Sequence, residues 1–210
     1  MRRTGCLVAM CCILLLGGCA QNARQAYIVA HNPIMDRNGG VLLLADVCVK
    51  RDVVGDDDYF MIDESKAGAR AILDSTREYL QKNQVTVSRQ YIPFVCGSLS
   101  QGNKGKTFKV AEKLDGTVTE KRPPFAVDPA IKGDPQLVEA LSKLSADAFR
   151  RSSVMRITQQ AKWTGKKPPH LSPAAVSPEE IAAASKLVAT KMHASSIVYL
   201  GVNGTSISNG

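Results

Sequence analysis

Val41-Leu42-Leu43-Leu44-Ala45-Asp46-Val47-Cys48-Val49 is the stretch that decides the fold. Eight of its nine residues are apolar, and only Asp46 interrupts them. A half-buried strand alternates apolar with polar residues. A continuous apolar run of this length instead predicts a strand covered on both faces, and so a layered α/β domain. On its C-terminal side, residues 50–64 read as a charged loop around Gly55-Asp56-Asp57-Asp58, with Tyr59-Phe60-Met61-Ile62 as a short strand inside it. Ser65 is a credible N-cap for a helix over 66–82, since Ala69, Ile72, Leu73, Thr76 and Leu80 fall on one face at helical spacing. Residues 85–96 then predict a second strand, in which Pro93 favours a sheet edge or a bulge.

The clearest helix start lies near the other end of the chain. Ser177-Pro178-Glu179-Glu180 offers an N-cap serine, a proline at the first helical position and a glutamate three residues after the cap. Ile181, Ala184, Leu187, Val188 and Met192 form its stripe, and Ile197 to Val202 reads as a third strand. The order is β-α-β…α-β, which predicts a small mixed sheet with helices packed on it, in the α/β class with α+β as the alternative.

Residues 97–176 separate the two halves as a long insertion. Its first part is rich in Gly, Lys and Pro and reads as a surface excursion. Lys106 to Val110 and Thr117 to Thr119 flank Asp115-Gly116, a good hairpin signal. Asp134-Pro135 starts a helix with Leu137, Leu141, Leu144 and Ala148 on its apolar face. Residues 153–158 read as a short strand, and 162–176 as loop.

Upstream, Arg2 and Arg3 precede an apolar core, Leu7 to Leu16, of roughly ten residues, in the range of a secretory signal and too short to span a bilayer. Leu16-Gly17-Gly18-Cys19 follows directly. This segment resembles the lipobox of bacterial lipoproteins, which implies cleavage before Cys19 and diacylation of its thiol. An ordinary signal peptide is the alternative. The implied organisation is a signal peptide over 1–18, a lipidated polar tether over 19–39 and one domain over 40–210.

Cys6, Cys11 and Cys12 would leave with the signal, so Cys48 and Cys96 alone remain for the folded domain. In an oxidising compartment one disulfide is expected between them, two buried thiols being the alternative. Removing residues 1–18 leaves 25 Lys and Arg against 19 Asp and Glu. Such an excess suits a solvated basic surface, an anionic membrane or another polyanion. No patch interleaves bases with aromatics in the manner of a nucleic-acid site, so nucleic acid is not an expected partner.

Motifs for catalysis are incomplete. Ser100-Gln101-Gly102-Asn103-Lys104-Gly105-Lys106-Thr107 has serine where a phosphate loop needs its first glycine, and a strand-like stretch follows where a helix is needed. Asp56-Asp57-Asp58 lacks the alternate spacing of a calcium loop. His31, His170 and His193 form no metal-spaced pair. Neither Ser98 nor Ser100 has the flanking glycines of a hydrolase elbow. No catalytic residue, metal or cofactor is therefore expected, and the chain reads as a binding protein rather than an enzyme. Trp163 with Lys166-Lys167 reads as an exposed linker or a contact point in the late loop.

The element order behind a lipobox, together with Lys186-Leu187-Val188 running through Ala194-Ser195-Ser196 into Ile197-Val198-Tyr199-Leu200-Gly201, resembles the anticodon-binding-domain-like module of the curli-secretion lipoprotein and of the penicillin-binding-protein activator lipoprotein. The resemblance implies a periplasmic lipoprotein, lipid-anchored to the outer membrane, that scaffolds or regulates an envelope assembly by binding another envelope protein. An oligomeric secretion component of the curli type is the alternative, and a small-ligand binder or enzyme using residues 97–107 the second. Absence of Asp after Cys19 fits outer-membrane sorting. Lys104, Lys106, Lys109, Lys113, Lys121 and Arg122 in the insertion are the candidate partner-binding residues.

Overall fold

A computed structural model describes residues 40–53, 58–167 and 174–208. Residues 1–39, with Cys19 and the expected lipobox and tether, lie outside the described residues. The apolar run forms β1, Val41–Val53, which extends over the first four residues of the stretch expected as a charged loop. Strand β6, Ser196–Ser208, pairs with it in parallel along its whole length, from Val41↔Ser196 to Val53↔Ser208. The opposite edge of β1 is shared. Strand β3, Val87–Tyr91, runs parallel to Val41–Leu44, while β2, Tyr59–Met61, runs antiparallel to Val49–Arg51. Strand β4, Phe108–Ala111, continues the sheet from β2, and β5, Val118–Lys121, closes the hairpin expected at Asp115-Gly116.

The predicted two-sided burial of β1 is observed. Val41, Leu43, Ala45 and Val47 face helix α1, Ile62–Lys82, through Ala69, Leu73 and Leu80. Leu42 and Leu44 face the other way, onto α4, Pro135–Thr164, and α5, Pro178–Lys191. The molecule is thus α/β: a mixed sheet between one helix and a helix pair. Two short helices, α2 (Leu99–Gly102) and α3 (Pro129–Lys132), complete the described elements.

Three local readings are corrected. Helix α1 begins at Ile62, not after Ser65. Ser65 lies buried in its first turn, donating to the Met61 carbonyl and accepting from the Val49 amide at 3.0 Å. It ties α1 to β1 instead of capping. Residues 153–158 are helix, not strand. No glycine or proline interrupts 136–164, so α4 runs on over 30 residues despite its β-branched Val154 and Ile157, and ends on Gly165 at φ 66°. Finally, residues 97–133 are more than a surface excursion, because Val110, Ala111 and Phe125 are buried.

Backbone contact explains one small residue. A Cβ on Gly201 would sit 2.8 Å from the Phe149 amide nitrogen, so α4 crosses β6 at a distance that only glycine permits. The Ser152 hydroxyl donates to the Gly201 carbonyl there at 2.9 Å. Helix α5 carries the predicted capping box: Ser177 accepts from the Glu180 amide, and the Glu180 carboxylate accepts from the Ser177 amide.

Candidate interaction site

Asp46 organises the end of the sheet from which the hairpin projects. It points to the helix-pair face of β1 and is fully buried. Beside it on that edge neither β3 nor β2 pairs with β1, and the segment after β3 comes in to fill the gap. The Cys96 and Gly97 amides donate to the Asp46 carboxylate at 2.8 and 2.6 Å, and the Ser145 hydroxyl of α4 donates at 2.6 Å. Burial pushes the Asp46 carboxyl up to about 7, against the pull of these donors. Tyr199 reaches the same node. Its hydroxyl lies near Ser145, yet makes no hydrogen bond of ordinary geometry. Burial first, and the Asp46 charge second, raise its pKa well above the usual tyrosine range.

Two residues beyond Asp46, Cys48 forms the expected disulfide with Cys96, their Cα atoms 4.7 Å apart. Closing 48 residues of chain stabilises the fold by about 4 kcal/mol if it acts through the unfolded state. Cys96 adopts φ 56°, so the chain turns sharply at the bond. The disulfide belongs to a separate apolar cluster with Ile62, Val95, Val110, Phe125 and Phe149. Val95 and Phe125 exchange two backbone hydrogen bonds, of 2.8 and 2.7 Å. Phe60, Phe108 and Phe125 pack ring against ring, with centroids 5.8–6.5 Å apart. Through this cluster the β4–β5 hairpin is rooted on the sheet while its tip stays in solvent.

The six basic candidates spread around that hairpin. Lys104 and Lys106 lie exposed between α2 and β4, Lys109 is on β4, and Lys113 is in the turn. Lys121 closes β5 and pairs with Glu112 at 2.7 Å; Arg122 follows it. They lie on and beside the hairpin and line none of the grooves described below. What the sequence reading missed there is apolar: Leu114 and Val118 are 49% and 41% exposed at the tip.

Several grooves lie elsewhere. One, of about 730 Å³, runs between α1 and the chain after β3. Lys66 and Arg70 line it together with Asp74, Glu112 and Asp128, so neither charge sign dominates, and no Ser, Thr, Cys or His lines it. Tyr91 borders this groove with the Arg89 guanidinium 5.3 Å from its ring centroid; burial, then Asp128, push its hydroxyl up to about 12. Another, of about 640 Å³, lies between α4, α5 and the start of β6, and a third, of about 650 Å³, runs along α4 itself past Arg150, Val154 and Thr158. Among the described residues no group of three His, Cys, Asp or Glu could hold a metal ion, and no helix is long and apolar enough to cross a membrane. His31, His170, Asp56 and Asp57 lie outside the described residues, while Asp58 pairs with Lys50. Comparison with protein-family models, curated proteins and solved structures finds no match to this chain.

Proposed function

We propose that the protein is a lipid-anchored periplasmic lipoprotein of the outer membrane that binds another envelope protein, as a scaffold or regulator. The observation that carries this reading is the β4–β5 hairpin. Its base is fixed by a disulfide-containing cluster, and its tip exposes Leu114 and Val118 among charges of both signs, Glu112, Lys113 and Asp115. Rigid support lowers the entropy lost when a loop is ordered on a partner, which is why recognition concentrates on loops held by a firm scaffold. Apolar side chains surrounded by charge are the usual make-up of an interface core and rim. The lipobox, the polar tether and one disulfide in a chain otherwise left with no cysteine after Cys19 support the location.

Deleting the whole excursion would remove the buried Val110, Ala111 and Phe125, so the test is confined to the tip. Leu114→Glu with Val118→Glu should leave secondary structure and disulfide intact and abolish crosslinks to envelope partners in intact cells. Retention of every crosslink would reject the hairpin as the binding surface. Cys19→Ser should separately release the protein from the membrane or leave it unprocessed. Unchanged mature mass and membrane association would reject the anchor.

A further inference from the structure

The positive charge of this protein is not spread over its surface. Between Ala148 and Pro178 there are six Lys and Arg and no Asp or Glu. The remainder of the chain from Cys19 onward has equal numbers of basic and acidic side chains, so this one segment accounts for the whole excess. It is the second half of α4 and the chain that follows.

The first half of α4 is core, burying Leu137, Leu141, Leu144, Ala148 and Phe149. Beyond Phe149 only Ala161 is buried on this helix, and from Lys162 to Lys167 every residue is exposed. A helix of 30 residues is about 45 Å long, so its last turns lie far from the residues that fix its start. At that end stands Trp163, the only tryptophan in the chain, 88% exposed. Arg156, seven residues earlier, falls on the same helix face, and Lys162, Lys166 and Lys167 flank the ring. The sequence alone predicts a loop at Trp163; the last turn of α4 instead carries the ring and presents it.

We propose that the C-terminal end of α4 and the residues just past it, Arg156 to Lys167, dock on an anionic lipid surface. Three properties select that partner. A shallow groove of about 650 Å³ along α4 reaches only as far as Lys162, so the last residues with Trp163 lie beyond it, exposed, and a bilayer needs no matching shape. Indole is amphipathic and settles at the boundary of headgroups and acyl chains. Long Lys and Arg side chains let charge stay among headgroups while their stems follow the ring inward. Each of these bases contributes about fivefold to partitioning onto an anionic surface. The site is independent of the proposed Cys19 anchor, and its failure would leave that reading untouched.

The test uses the chain from Ala20 onward, which lacks Cys19 and keeps every described residue. Because Trp163 is the sole tryptophan, its emission reports this site alone. Vesicles of phosphatidylcholine containing phosphatidylglycerol should shift the emission to the blue and carry the protein down on sedimentation; phosphatidylcholine alone should do neither. Raised salt should reverse the binding. Lys162→Glu, Lys166→Glu and Lys167→Glu together should weaken it by about a hundredfold or more, with circular dichroism and disulfide unchanged. Trp163→Phe should still sediment with anionic vesicles, more weakly. No emission shift with anionic vesicles, or equal binding by the triple variant, overturns the proposal. A shift produced by an acidic peptide or an oligonucleotide, and not by vesicles, overturns it equally.

Discussion

The Asp46 carboxylate accepts a 2.6 Å hydrogen bond from the Ser145 hydroxyl, joining β1 to α4 across 99 residues of sequence in a site closed to water. With the Cys96 and Gly97 amides on the same carboxylate, one side chain holds the sheet, the long helix and the disulfide turn together.

That node makes stability depend on pH. Burial raises the Asp46 carboxyl from 3.8 to about 7 in the folded protein. The folded state therefore holds its proton through a range in which the unfolded chain has lost it. Stability from this group is full below about pH 4, falls as pH rises toward 7 and is level above. Asp46→Asn removes the slope, so the variant should gain on the parent by up to about 4 kcal/mol between pH 4 and pH 8. Urea denaturation across that range measures the difference, and parallel curves for the two proteins would refute the assignment.

Tyr199→Phe probes the neighbouring hydroxyl. A buried hydroxyl without a partner costs desolvation and returns nothing, so its removal should be neutral or stabilise by up to about 1 kcal/mol. A loss above about 1 kcal/mol in the same denaturation assay would show that the hydroxyl is bonded.

Cys48→Ala with Cys96→Ala should lower stability by about 4 kcal/mol, or somewhat more through lost packing in the Phe125 cluster. Peptide mapping of the parent without reductant should recover the two cysteines linked. Two freely alkylated thiols in the folded parent would contradict the bond.

Gly201→Ala forces a methyl group onto the backbone of α4 at Ala148 and Phe149. A backbone neighbour cannot rotate away, so the cost should be on the order of 2 kcal/mol or more. By contrast Ser177→Ala, which loses one capping bond on an exposed helix start, should cost about 1 kcal/mol. Thermal melts of the two variants side by side test the ranking.

The central architecture was legible because its signals are local. An apolar run too dense for one-sided burial marked β1; serine, proline and glutamate in fixed spacing marked α5; Asp115-Gly116 marked the hairpin. Errors arose where distant partners decide. Ser65 has the chemistry of a cap, yet its hydroxyl is taken by the Val49 amide. Val154 and Ile157 favour a strand in isolation, but the helix that begins at Pro135 meets no breaker before Gly165. Asp46 was visible as an interruption, but its donors come from residues 96, 97 and 145, which no spacing rule connects to it. The tip of the hairpin shows the same limit, since the exposure of Leu114 and Val118 depends on what packs nearby and not on their identity.

The ladder between β1 and β6 has a consequence for the order of events during folding. Gly40 and Ser195, joined by a hydrogen bond at the start of the ladder, are 155 residues apart. A nascent chain ending anywhere before Ser196 leaves one whole edge of the central strand unpaired, and one ending before Pro135 also leaves its helix-pair face without cover. Contacts of such long range form late, because the intervening loop must be closed first. The central strand therefore stays unsatisfied along that edge until β6 is available. The strand that begins the fold is thus completed by the strand that comes 155 residues later.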